Sequence, residues 1–258
     1  MSGGVKRDRD GNARAKSARD DAPRGQFHDM FETFRDELDE HYDRRERIIK
    51  VSRDVTALSK KIIFSLQRVK NLHAEFPPNI QKEVDSRLAE ISTLLNSIAA
   101  DLTPLNRQRY SYSLRCLEEL VEALSFAHYL RHQTLITPAE TQAAVPADVQ
   151  ISPFDYMYGV FDLFGELMRF ATVTTAQRGE LVGNDEGRNI LGDIHELGCA
   201  YEMLPEIPTK DYRQKITAMR QSVVKVEKLG YGLVVRGSER PKGWVPDMKD
   251  DAPDPSSP

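Results

Sequence analysis

Two short acidic clusters sit in the most apolar stretches of the chain. Glu119 and Glu122 lie within Leu117–Leu130, and Asp162 and Glu166 lie within Tyr156–Phe170. Spacings of three and four residues put each pair on one face of its own helix. The residues around both pairs are apolar on nearly every other face, as in helices buried inside a bundle. A carboxylate there is costly unless a cation, a hydrogen-bond donor or a proton compensates it. Arg115 falls beside the first pair and Arg169 beside the second, so buried ion pairs are one answer. Two guanidinium groups against four carboxylates still leave negative charge over, and a divalent metal ion would absorb it. Gly159 and Gly165 flank the second pair, thinning that helix where a ligand would enter.

An all-oxygen ligand set favours Mg²⁺, Mn²⁺ or Ca²⁺ over zinc. A di-iron carboxylate centre would want Glu-x-x-His on paired helices. Here His128 lies six residues after Glu122 and the second acidic helix has no histidine. His195 reads as a surface or capping residue. Carboxylates holding Mg²⁺ suit phosphodiester hydrolysis, in which the ion activates water and neutralises developing charge. The chain has no P-loop, GxGxxG or GxSxG pattern, so nothing supports nucleotide-driven or serine-hydrolase chemistry.

The elements that must position these acids follow from the apolar spacing. The 258 residues are 40% hydrophobic and 29% charged, the profile of a soluble globular chain with enough length for a sizeable core. Residues 1–25 carry seven basic and four acidic groups, a net of +3 in a chain of net charge −4, and read as a disordered basic tail. From Phe27 to Leu72 apolar residues recur at threes and fours without Pro or Gly, which predicts one helix of about 45 residues or two end to end. Its basic stretch, Arg44 to Lys61, reads as a solvated face, with an RNA-backbone track as the alternative.

Pro77-Pro78 ends that helix, and a second is expected over 80–101. Thr103-Pro104 should cap a third running to Gln133, which holds the first acidic pair. Thr137-Pro-Ala-Glu140 is a capping box opening a short turn of helix. Ser152-Pro153 with Asp155 starts the fourth long helix, which carries the second pair. Asn184-Asp-Glu186 is expected to cap a fifth, and Thr209 opens a sixth that runs to about Val235. Residues 239–258, rich in Pro and Asp, read as a flexible tail around a 26–238 helical domain. The fold class is all-α, a helical bundle. Cys116 and Cys199 lack metal or disulfide spacing and read as buried thiols of an intracellular protein. No apolar run has membrane-spanning length and the N-terminus lacks a signal-peptide core.

Four segments resemble the translin family, on its translin-associated factor X (TRAX) side. They are Glu46–Thr56 with Ser59–Phe64, Glu119–His128, Asp155-Tyr156 with Gly159–Arg169, and Lys225–Tyr231 with Val235–Glu239. Translin itself is similar in fold but lacks the acidic quartet. The resemblance implies a seven-helix, all-α subunit of a hetero-octameric shell with translin. It also implies a Mg²⁺-dependent endoribonuclease, with Mn²⁺ as an alternative ion, acting on single-stranded RNA. Implied roles are removal of passenger-strand fragments in RNA silencing and processing of transfer-RNA precursor fragments, in cytoplasm and nucleus. The family's catalytic, metal-binding acids map onto Glu119, Glu122, Asp162 and Glu166, the same four residues. The competing expectation is a non-catalytic scaffold that stabilises translin.

Overall fold

The computed structural model describes residues 25–183 and 187–236. The tails expected at 1–25 and 239–258 lie outside the described residues, apart from Gly25, and so does the Asn184–Glu186 cap. Among the described residues eight α-helices follow one another: α1 (His28–Leu66), α2 (Pro78–Ile98), α3 (Pro104–Arg109), α4 (Cys116–His132), α5 (Pro138–Ala143), α6 (Pro153–Arg178), α7 (Ile190–Glu202) and α8 (Lys210–Arg236). Six are long, while α3 and α5 have six residues each. Among the described residues the sole β feature is an isolated bridge between Gly183 and Asn189. The fold is all-α with a long first helix, as the apolar spacing predicts.

The chain divides into two compact units at Arg44/Arg45, within α1. In the first unit Phe27, just before α1, and Phe31, Phe34, Leu38 and Tyr42 within it are exposed. In the second the same spacing buries Ile48, Val51, Val55, Leu58, Ile62 and Leu66. At 39 residues, or about 58 Å, α1 is shorter than expected. It stops at Leu66 because tertiary partners capture the backbone that would have continued it. Arg178 donates to the carbonyl of Lys70 and to Asn71, and the His73 amide donates to the Leu130 carbonyl at 3.0 Å. Val69 and Leu72 are buried all the same, in an irregular segment where His73 adopts φ 55°.

The expected third helix is broken. After α3 a single 3₁₀ turn, Ser111–Leu114, redirects the chain so that Tyr110 and Leu114 are both buried before α4 begins. Pro104 stands at the start of α3, but Thr103 makes no side-chain cap. The capping boxes at Thr137/Glu140 and Ser152/Asp155 form on both sides. The buried Asp155 also accepts from Arg107, which ties α3 to the start of α6. α6 ends where Gly179 takes φ 75°, a left-handed conformation that glycine adopts without a Cβ penalty. α7 is capped by Asn189, whose side chain accepts from the amides of Leu191 and Gly192 at 3.1 Å.

α6 is central to the second unit, packing on α4 and α8, with α7 lying against α8. Edge-on aromatic contacts, Phe126 on Phe170 and Phe161 on both Tyr201 and Tyr212, consolidate these layers. The two cysteines differ. Cys116 is buried, and burial pushes its thiol up to about 11, whereas Cys199 is exposed, contrary to expectation. A thiol reagent at neutral pH should therefore label one cysteine in the native chain, Cys199, and reach Cys116 only after unfolding. Rapid labelling of two equivalents without denaturant would contradict the buried placement of Cys116.

Candidate metal centre

The two acidic helices meet closely because α6 has no side chain at the crossing point. A Cβ on Gly159 would lie 2.6 Å from both the Glu118 carbonyl oxygen and the Cβ of Val121 on α4. Gly159 therefore serves helix packing and leaves no ligand room, correcting one expectation. Gly165 is different: nothing lies within 4 Å of its Cβ position, and it opens into a cleft.

That cleft, about 580 Å³, is lined by all four acids: Glu119 and Glu122 from α4, and Asp162 and Glu166 from α6. Lys60, Ile63 and Phe64 of α1 form another wall, Ala218 and Ser222 of α8 close it, and Arg169 also lines it. The structure thus brings together two pairs that are about forty residues apart in sequence.

Three of the four carboxylates have a protein partner. Lys60 Nζ lies 3.4 Å from Glu119 Oε1. Lys215 Nζ donates to Asp162 Oδ2. The Gln67 side-chain amide donates to Glu166 Oε2 and, at 3.3 Å, to the Glu166 carbonyl. Glu122 has no hydrogen bond or ion pair among the described residues and is 8% exposed. Burial, with the negative charges of Asp162, Glu119 and Glu166, drives its carboxyl up to about 9.

The arginines expected to neutralise the quartet do not. Arg115 faces Glu118 at 3.4 Å and Asp211 at 3.1 Å, and Arg169 makes no ion pair with the four acids. Lys215, Gln67 and Glu118 are parts of the site that sequence reasoning missed. No local pattern marks them, since Lys215 meets Asp162 across 53 residues and Gln67 meets Glu166 across 99.

The donor set fits a hard divalent cation: carboxyl oxygens alone, one group raised to about 9 by burial and by its acidic neighbours. The four acids are not drawn into one tight cluster, because Lys60, Lys215 and Gln67 hold three of them. Among the described residues the group whose ligand atoms all lie within 4.8 Å of one another is His28, Asp29 and Glu32, on the first turn of α1. That trio could hold a metal ion, but it belongs to the first unit and to residues adjacent in sequence. No described helix is long and apolar enough to cross a membrane.

An all-α bundle with a carboxylate-lined cleft between two central helices is thus the class defined by fold and site. Residues 43–237 match the model of the Translin family, and the chain belongs to that family. Within it, the chain is similar to translin-associated protein X of Rattus norvegicus, 31% identical over 243 residues that span 84% of this chain and 82% of that protein. The translin-associated protein X homolog of Schizosaccharomyces pombe is 30% identical over 214 residues, spanning 81% and 89%. The solved structure of apo-NeC3PO superposes with a TM-score of 0.60 at 18% identity, covering 79% of this chain and 96% of that one. AfC3PO gives 0.55 at 18% identity, covering 82% and 100%. At that identity the two structures establish shared fold.

Proposed function

We propose that this chain is the catalytic subunit of a complex with translin, a Mg²⁺-dependent endoribonuclease that hydrolyses single-stranded RNA such as passenger-strand and transfer-RNA-precursor fragments. One observation carries the reading: Glu119, Glu122, Asp162 and Glu166 line a single cleft beside the cationic side chains of Lys60 and Arg169. The name of the relatives, translin-associated protein X, supports translin as the partner; the assembly we propose is a hetero-octamer.

The four acids would hold the ion through oxygen. When bound, a divalent cation supplies an acidified water and neutralises charge developing on the phosphate. Burial and its acidic neighbours favour the protonated form of Glu122, which would lose that proton to solvent on serving as an ion ligand. Lys60 is 63% exposed at its side chain, and with Glu119 serving as an ion ligand it would be free to meet an RNA phosphate. Arg169, with no acid partner in the quartet, offers a second phosphate contact. Phe64, exposed one helical turn after Lys60, presents an aromatic face on which a base can stack.

The test is cleavage of a labelled single-stranded RNA by the chain co-purified with translin, in Mg²⁺ and in EDTA, beside the Glu119→Gln, Asp162→Asn double variant. Metal-dependent cleavage that disappears in an intact variant complex is the expected result. Cleavage that survives both substitutions would place the chemistry elsewhere and leave this chain a scaffold.

A further inference from the structure

A ladder of alternating charges runs from the surface to the cleft. Asp211 and Arg115, each about half exposed at the side chain, pair at 3.1 Å. Arg115 faces Glu118 Oε1 at 3.4 Å, Glu118 Oε2 faces Lys215 Nζ at 3.4 Å, and Lys215 reaches Asp162 Oδ2. The ladder draws on three places in the second unit: α8 for Asp211 and Lys215, the start of α4 for Arg115 and Glu118, and α6 for Asp162.

Lys215 differs from the other cation that touches the quartet. An ammonium group has three donors and no acceptor. Those of Lys215 face three protein acceptors, Asp162 Oδ2, Glu118 Oε2 and the Tyr158 carbonyl at 3.3 Å, and the Tyr158 ring lies 5.4 Å from Nζ. Its side chain is 14% exposed, against 63% for Lys60. Two hydrogen bonds and an ion pair commit the ammonium group to protein partners, so Lys215 is turned away from a substrate. What it does is hold one oxygen of a carboxylate in the cleft, and Glu118 holds Lys215 in turn.

We propose that Lys215 is the positioning residue for Asp162: it fixes Oδ2, leaves Oδ1 to the metal ion, and thereby trades tighter ion binding for a single productive orientation. This deepens the metal-centre reading and rests on it. Two effects oppose each other in ion binding. A neighbouring cation repels the ion, whereas an oriented ligand receives it ready-made. At direct contact the repulsion wins, because both positive charges share one carboxylate. A lysine present only to stabilise the fold would leave the rate at saturating ion unchanged.

The experiment uses the full-length chain with translin, as wild type, K215M, K215R, E122Q and E118Q/K215M. Mn²⁺ is the probe, followed by loss of the free-ion electron paramagnetic resonance signal, and RNA cleavage is measured at saturating Mn²⁺. K215M should bind Mn²⁺ roughly tenfold more tightly. It should cleave roughly 10- to 100-fold more slowly once saturated, since Asp162 is then free to turn. K215R, which keeps the charge, should return both quantities toward wild type. E118Q/K215M removes the buried pair together, should keep the fold, and should behave as K215M does. Unchanged or weaker Mn²⁺ binding in the two Lys215→Met proteins, or an unchanged saturated rate, overturns the proposal while wild-type binding that E122Q weakens keeps the metal centre standing. Wild-type binding that E122Q leaves untouched overturns the metal-centre reading and this proposal with it.

Discussion

Glu122→Gln should abolish Mg²⁺-dependent RNA cleavage and, in the metal-free protein, raise the melting temperature. Loss of a carboxylate at the centre of the quartet is expected to lower the rate roughly 10²- to 10⁴-fold. The stability effect has the opposite sign, and linkage gives its pH window. Burial and three acidic neighbours raise the folded-state carboxyl to about 9, while the unfolded chain titrates near 4.5. Between those values the native state keeps a proton that the unfolded state has lost, so metal-free stability falls as pH rises through that window. Glutamine keeps the shape and cannot ionise, so it removes the penalty, on the order of 3 kcal/mol near pH 7. In a chain of this size that is roughly 5–10 °C of melting temperature. The gain should shrink to nothing below about pH 3.5, where Glu122 is protonated in both states. An equal melting temperature for both proteins across this pH range would mean that Glu122 is not held uncharged.

Gly159→Ala should damage both fold and chemistry, although alanine is the better helix former by about 1 kcal/mol. Its Cβ would lie 2.6 Å from the Glu118 carbonyl oxygen and from the Cβ of Val121. Neither is the yielding end of a flexible side chain, so α4 and α6 must part. Overpacking of this kind costs about 1–3 kcal/mol, which outweighs the propensity gain. The two helices carry the two halves of the quartet, and a displacement near 1 Å between them is expected to slow cleavage roughly 100-fold. Gly165→Ala is the comparison, since its Cβ meets nothing within 4 Å and stability should hold or rise. Urea unfolding and single-turnover cleavage of both variants separate the cases. A Gly159→Ala protein as stable and active as wild type would show that the crossing can open without consequence.

The class of fold was legible because helix signals are local. Apolar residues at threes and fours, Pro at first turns and the capping boxes at Thr137/Glu140 and Ser152/Asp155 each act within a few residues. The quartet was legible for a related reason. Four acids in otherwise apolar helical faces are an anomaly of burial, and burial can be read from periodicity. Breaks in helices were less visible: α1 stops at Leu66 because Arg178 and Leu130, distant in sequence, claim the next backbone groups. The apolar stripe of α1 reads alike on both sides of Arg44, yet one half is exposed and the other buried. Periodicity reports that a face is apolar and not what covers it.

By itself, then, the sequence determined that this is an all-helical chain with two carboxylate pairs on buried-type faces, since those properties depend on side-chain type and spacing along one helix. Only the tertiary structure decided that the pairs share one cleft, that Gly159 serves packing while Gly165 opens the cleft, and that Lys60, Lys215 and Gln67 face the acids in place of Arg115 and Arg169. The physical reason is range. An ion pair or a helix crossing acts over a few ångströms in space, and the residues joined here, from Gly159 with Val121 to Gln67 with Glu166, are 38 to 99 positions apart along the chain.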